Sequence, residues 1–200
     1  MAITSYSELQ TAVQTWAHRG DLTSAQIQEF IALAESDLQV RAKLTQWEQT
    51  ASVTITAGSG PLPSDFASMK SVEFGSASVT LTQVSPQKYQ YLESATESGI
   101  PVNYSIIADT LKLVPVATGT ASILYTARFT PLSGSATTNS LLTLFPDVYL
   151  QGALAQFAIW SKDDVAMQRH GMLFDAGISR VKKYTSDRRY GDAPLAMRLG

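Results

Sequence analysis

The chain has 200 residues, 44% of them hydrophobic, with 15 Lys and Arg against 17 Asp and Glu and no cysteine. That is enough for one sizeable core with an elaborated subdomain, and it excludes disulfides and thiolate chemistry. Charged residues make up only 16%, against a usual share of about a quarter, which suits a surface that spends its life packed against copies or partners. The charge is also uneven. Ser161 to Gly200 carries eight Lys and Arg against five Asp, so an acidic partner or a polyanion would be met at the C-terminal end. The N-terminus lacks a basic region followed by an apolar core, and the longest strongly apolar run, Val148 to Trp160, is short and holds Gln151 and Gln156. Neither a signal peptide nor a membrane span is expected, and the product is read as soluble and made in the cytoplasm.

Taken in order, Ser5 and Glu8 have capping-box spacing, and Tyr6, Leu9, Val13 and Trp16 then line one helical face until His18-Arg19-Gly20. This predicts a helix over 5–18. Thr23 and Gln26 repeat the pattern, and Ile27, Phe30, Ile31, Ala34 and Leu38 continue it, so a second helix is expected over 23–47. The period then changes. Val53, Ile55 and Ala57 alternate with threonines as in a half-buried strand ending at Gly58-Ser59-Gly60, while Pro61 to Phe66 cannot continue a strand. Further short strands are expected at Val72 to Phe74, Val79 to Val84, Val102 to Ile107, Leu111 to Val114 and Ala121 to Phe129. A helical turn could start at Ser85-Pro86 and run through Tyr89 and Leu92, and Asp109-Thr110 reads as a tight turn. Pro131 to Ser140 is the longest structureless polar run.

Two more helices follow, over 146–160 and 163–184. Pro146 suits a first helical position because a helix start leaves its missing N–H unpaired anyway, and Asp147 adds a negative charge beside the free amides. From Val148 to Trp160 almost no polar face remains, so Pro146, Tyr149, Leu154, Phe157 and Trp160 must be covered by the domain or by another chain. Asp163 offers an N-cap for the next helix, and Gly152, Gly171 and Gly177 point to close approaches of two backbones. Residues 185–200 show no sustained period and are expected to be extended. The fold class that results is α+β: an antiparallel bundle of N- and C-terminal helices over 1–184, with a small, mostly antiparallel β lobe inserted at 51–129.

The inventory for chemistry is thin. His18 and His170 have no Cys or His at ligand spacing, Asp163 and Asp164 face different ways on a helix, and no glycine-rich stretch ends as a phosphate loop does. No catalytic residue, metal ligand or cofactor site is assigned. The basic residues Arg180, Lys182, Lys183, Arg188, Arg189 and Arg198, interleaved with Tyr184 and Tyr190, suit docking on an acidic protein surface better than direct DNA contact, with a merely solvated helix end as the bland alternative.

Two motifs carry a resemblance. Leu62-Pro63-Ser64-Asp65-Phe66, followed by Lys70 to Phe74 and Leu81-Thr82-Gln83-Val84-Ser85-Pro86, resembles the β lobe of head-to-tail connector adaptor proteins of tailed bacteriophages. Phe145-Pro146-Asp147-Val148-Tyr149-Leu150-Gln151-Gly152 resembles the start of that family's first long C-terminal helix, with Asp163 to Tyr184 in the place of its second. The resemblance implies a structural protein of the virion and not an enzyme. Such a protein forms a ring, usually of twelve copies, between the portal protein and a tail or nozzle protein, lines a channel through which DNA passes, and contacts no membrane. It also implies that Thr185 to Gly200, with Arg188, Arg189, Tyr190 and Arg198, reaches the portal. A tail-completion or minor capsid protein is the second reading, and a small polymer hydrolase a distant third.

Overall fold

Both helix starts read near the N-terminus form as their sequences dictate. In the first helix, α1 (Tyr6–Trp16), the Ser5 hydroxyl accepts the Glu8 N–H at 3.3 Å, while the Glu8 carboxylate reaches back to the Thr4 N–H at 2.6 Å. Helix α2 (Ser24–Arg41) carries the complete reciprocal capping box between Thr23 and Gln26. It stops at Arg41, well short of the expected Trp47. Ala42 is extended, and both Ala42 and Leu44 are buried. The computed structural model describes residues 3–42, 44, 47–76, 78–95 and 99–191, with Tyr190 as backbone alone.

The inserted lobe, Trp47–Arg128, is a compact unit of its own. Its elements are β1 (Glu48–Ile55), β2 (Ser59–Pro61), β3 (Phe66–Phe74), β4 (Val79–Thr80), β5 (Thr82–Gln83), α3 (Pro86–Ala95), β6 (Asn103–Ile107), β7 (Thr110–Val114) and β8 (Gly119–Ala127). They form two open four-stranded sheets, ordered β1-β8-β3-β4 and β2-β7-β6-β5, antiparallel throughout except for the parallel β5–β6 pair. Val53, Ile55, Val72, Ala121 and Ile123 from the first sheet and Tyr104, Leu111 and Leu113 from the second make one shared core. Several strands differ from the expected ones. The single strand expected over Val79 to Val84 is two short ones in different sheets, because buried Leu81 is where the chain crosses from one to the other. The helical turn expected from Ser85-Pro86 through Tyr89 and Leu92 forms as α3 and runs on to Ala95. The tight turn falls at Ala108 and Asp109, both with positive φ, as a two-residue hairpin between β6 and β7 requires. Asp65, in the Leu62 to Phe66 motif, locks that stretch to β8: its carboxylate accepts the Tyr125 hydroxyl at 3.0 Å and its carbonyl the Arg128 N–H at 2.6 Å.

The other unit, Met1–Gln46 with Phe129–Gly200, is helical. Its connecting run is irregular but held in place. Leu132 is buried, its N–H donates to the Glu35 carboxylate at 2.8 Å, and the Thr137 carbonyl accepts the Tyr6 N–H at 2.7 Å. A short helix, α4 (Ser140–Leu144), capped by Asn139, precedes α5 (Pro146–Ser161) and α6 (Asp164–Tyr190), which starts at the Asp163 cap. Helix α5 is covered within its own unit. Val148, Tyr149, Leu150, Ala153, Leu154, Ala155 and Ala158 are buried, Phe157 is half-buried, and only the last turn, with Ile159 and Trp160, is exposed.

Two of the three glycines mark close approaches. A Cβ on Gly152 would lie 2.7 Å from the Phe174 ring and 3.0 Å from Ala34, and one on Gly177 would lie 2.8 Å from Val148. Gly171 has open space around it, so the close approach expected there is absent. The C-terminal end also differs. Residues 185–190, expected to be extended, continue α6 as helix, with the Gly191 N–H bonded to the Asp187 carbonyl. Lys, Arg and Asp at helix spacing support such a solvent-facing helix without any apolar period, which is why no period was visible there.

Candidate docking surface

Helix α6 lies antiparallel to α5. Residue pairs run Gln151–His170, Gly152–Phe174, Val148–Gly177 and Asp147–Arg180 as one helix ascends and the other descends. Phe174, Ile178 and Val181 form its buried line. Near its far end Tyr184 meets the Phe145 ring edge-on at 5.4 Å, just before α5 begins. Beyond Tyr184 six more residues continue the helix, which at 1.5 Å per residue carries it about 9 Å further. Lys182, Lys183, Ser186, Asp187, Arg188 and Arg189 are exposed there, and Arg188 also donates to the Tyr184 hydroxyl at 3.2 Å. Cations in a last helical turn complement the partial negative charge of the unpaired carbonyls, so the basic end is stabilised as helix.

The residues singled out from sequence separate into groups. Lys182, Lys183, Arg188 and Arg189 do share the end of α6. Arg180, one turn earlier, pairs with Asp147 on α5. Arg198 lies outside the described residues, as does the Tyr190 side chain. Of the packing residues, Tyr149 and Leu154 are fully buried, Pro146 and Phe157 are half-buried, and Trp160, 47% exposed, has its ring 6.0 Å from Phe30 and 6.2 Å from Phe157.

A polar cluster escaped the sequence reading. Glu35, on the buried face of α2, accepts the Leu132 N–H and the Tyr149 hydroxyl, the latter at 2.9 Å. Tyr149 in turn accepts from Asn139 at 2.7 Å, and Asn139 caps α4 and donates to the Thr130 carbonyl. Burial pushes the Glu35 carboxyl above its ordinary range despite both donors, and burial followed by the Glu35 charge pushes the Tyr149 phenol far up. An acid at the i+4 position from Ile31 and i−3 from Leu38 was the available signal. The cluster ties the irregular run to three helices and has no exposed reactive atom.

His18 and His170, far apart in sequence, line one groove of about 470 Å³ together with Thr15, Trp16, Gln151, Arg169 and Leu173. Arg169 can only donate, so its contact with His170 Nε2 at 3.3 Å makes that nitrogen an acceptor and places the proton on Nδ1, which donates to Gln151 Oε1 at 2.7 Å. Burial, then Arg169, depress the His170 pKa, while Asp163 opposes them. The imidazole thus links α5 and α6 through its hydrogen bond to Gln151, and among the described residues neither ring nitrogen is hydrogen-bonded to a carboxylate or a hydroxyl. Among the described residues no group of three or more His, Asp or Glu is placed to hold a metal ion, and no helix is long and apolar enough to cross a membrane.

No curated protein matches the chain. The family model for the SU10 adaptor protein matches residues 4–198, nearly the whole length. With its terminal helices, open β lobe and outward basic helix end, the chain belongs to that family: it is a structural head-to-tail connector adaptor of a bacteriophage virion, bridging portal and tail in an oligomeric ring at the head–tail junction.

Proposed function

We propose that the ring contains twelve copies, that the helical unit forms its wall, and that the end of α6, with Lys182, Lys183, Arg188 and Arg189 and the following residues through Arg198, is the element that docks on the portal. The observation that carries this reading is the continuation of α6 beyond Tyr184, where a basic helix end leaves the body of its unit. Its charge suits an acidic protein surface, and DNA crosses the lumen without base-specific contacts. Attraction of this kind between exposed charges weakens over a Debye length that shrinks with salt.

Native mass spectrometry of the chain mixed with the portal protein of the same phage tests the reading. The expected product is a portal complex carrying twelve copies, lost on deletion of residues 185–200 and weakened by raised salt. A complex of another stoichiometry, or one that survives the deletion unchanged, overturns the corresponding part.

A further inference from the structure

Two outward faces of the helical unit are not explained by its own packing. On α2, Glu29, Leu33, Ser36 and Val40 recur at spacings of four, three and four and are all exposed, Val40 by 75%. On α6, Val165, Arg169, Met172 and Ala176 recur at the same spacings and are likewise exposed, Val165 by 79% and Met172 by 67%. Each is a single line along one side of its helix, opposite the buried line that faces α5. Apolar residues so exposed are ordinary when scattered, but a line of them on a helix is the pattern of a helix-to-helix contact.

The two lines are complementary. Among the described residues the Glu29 carboxylate makes no hydrogen bond or ion pair, and the Arg169 guanidinium has no carboxylate partner, its hydrogen bond going to the His170 ring. Setting Glu29 against Arg169 in a parallel sense brings Leu33 opposite Met172 and the small Ser36 opposite the small Ala176, which lets two helices approach closely. The directions also agree. Phe30 packs on Phe157 and Trp160 while Ala34 packs on Gly152, so α2 runs antiparallel to α5 and therefore parallel to α6. In a closed ring each copy is turned only slightly from the last, by about 30° for twelve, so α2 of one copy would meet α6 of the next still roughly parallel. A ring also needs two different faces per copy, because a face that pairs with itself closes a dimer.

We propose that the occupant of each face is a second copy of this chain: the Glu29–Leu33–Ser36 stretch of α2 seats on the Arg169–Met172–Ala176 stretch of α6 in the neighbouring copy, with Glu29 paired to Arg169 and with Val165 and Val40 just beyond the two ends of the matched stretch. This rests on the ring reading above and gives it an interface.

The absence of cysteine permits a direct test. Leu33→Cys and Met172→Cys are introduced singly and together, and each protein is assembled on portal and oxidised under non-reducing electrophoresis. The double variant is expected to give a ladder of covalent multimers reaching the full ring, and each single variant no cross-link. In parallel, Glu29→Arg or Arg169→Glu alone is expected to weaken assembly about tenfold or more, and the two together to restore it, since close interfacial charge pairs couple strongly. Circular dichroism of the free variants checks that each is folded. Rings that form with the wild-type chain but give no ladder, or charge reversals that assemble as well as wild type, overturn this interface and leave the adaptor ring standing. Cross-linking of Leu33→Cys alone also overturns it, because that contact would be self-paired. Failure of the wild-type chain to assemble on portal at all overturns the ring reading itself, and the interface with it.

Discussion

Helices α5 and α6 lie side by side and meet opposite demands. Helix α5 is apolar nearly all round, and its own unit covers it from Val148 to Ala158, leaving only Ile159 and Trp160 of its last turn exposed. Helix α6 is longer and has one buried line, yet it also presents Val165, Met172 and Leu173 to solvent and ends in exposed cations. The apolar helix, which by sequence had to be covered by its own domain or by another chain, is covered by its own unit over all but its last turn. The amphipathic one keeps Val165, Met172 and Leu173 exposed.

The sharpest way to break this contrast is substitution on each helix. Leu154→Ala is expected to cost about 2–5 kcal/mol of stability by leaving a cavity in a fully buried site, whereas Met172→Ala should change the stability of the free chain by less than about 0.5 kcal/mol. Urea unfolding of both measures the difference, and comparable losses would dissolve the distinction. Next in size, Tyr149→Phe removes the hydroxyl that donates to Glu35 and accepts from Asn139, and is expected to cost about 1–3 kcal/mol by leaving buried partners unpaired. The two glycines give opposite signs. Gly152→Ala forces a methyl against Phe174 and Ala34 and should cost about 1–3 kcal/mol, while Gly171→Ala, in open space on α6, should gain about 0.5–1 kcal/mol.

The smallest expected effects are in pH. Glu35 has a raised folded pKa, so the folded chain holds its proton more tightly than the unfolded one; its contribution is fully present below the ordinary carboxylate range and is lost as pH rises through the raised value. His170 has a lowered pKa, so its contribution is present above the ordinary imidazole range and is lost as pH falls from that range through the lowered value. Melting temperatures from about pH 4 to 8 should show Glu35→Gln flattening the decline on the alkaline side and His170→Gln the decline on the acid side.

Much of this architecture was legible locally. The caps at Ser5, Thr23 and Asp163 and the start of α5 at Pro146 each rest on a single residue whose backbone chemistry admits few alternatives. The long runs of apolar residues at helical or alternating spacing fixed the order of helices and strands for the same reason. What escaped depended on distant partners. The end of α2 at Arg41, where Ala42 turns extended, has no local breaker to announce it, and the split of the strand around Leu81 follows from its passage between sheets. The Glu35–Tyr149–Asn139 cluster and the shared groove of His18 and His170 join positions that no local pattern connects. The basic end of α6 was placed correctly as a charged segment and wrongly as an extended one beyond Tyr184, because a helix exposed on all sides leaves no apolar period.

Hydroxyl-radical footprinting of the free chain and of the portal-bound ring, read at Met172 with Leu154 as the buried reference, tests most directly whether neighbouring copies complete the outward faces. The expected result is a several-fold fall in Met172 oxidation on assembly, with Leu154 unreactive in both states. Oxidation of Met172 that is as fast in the ring as in the free chain would contradict it.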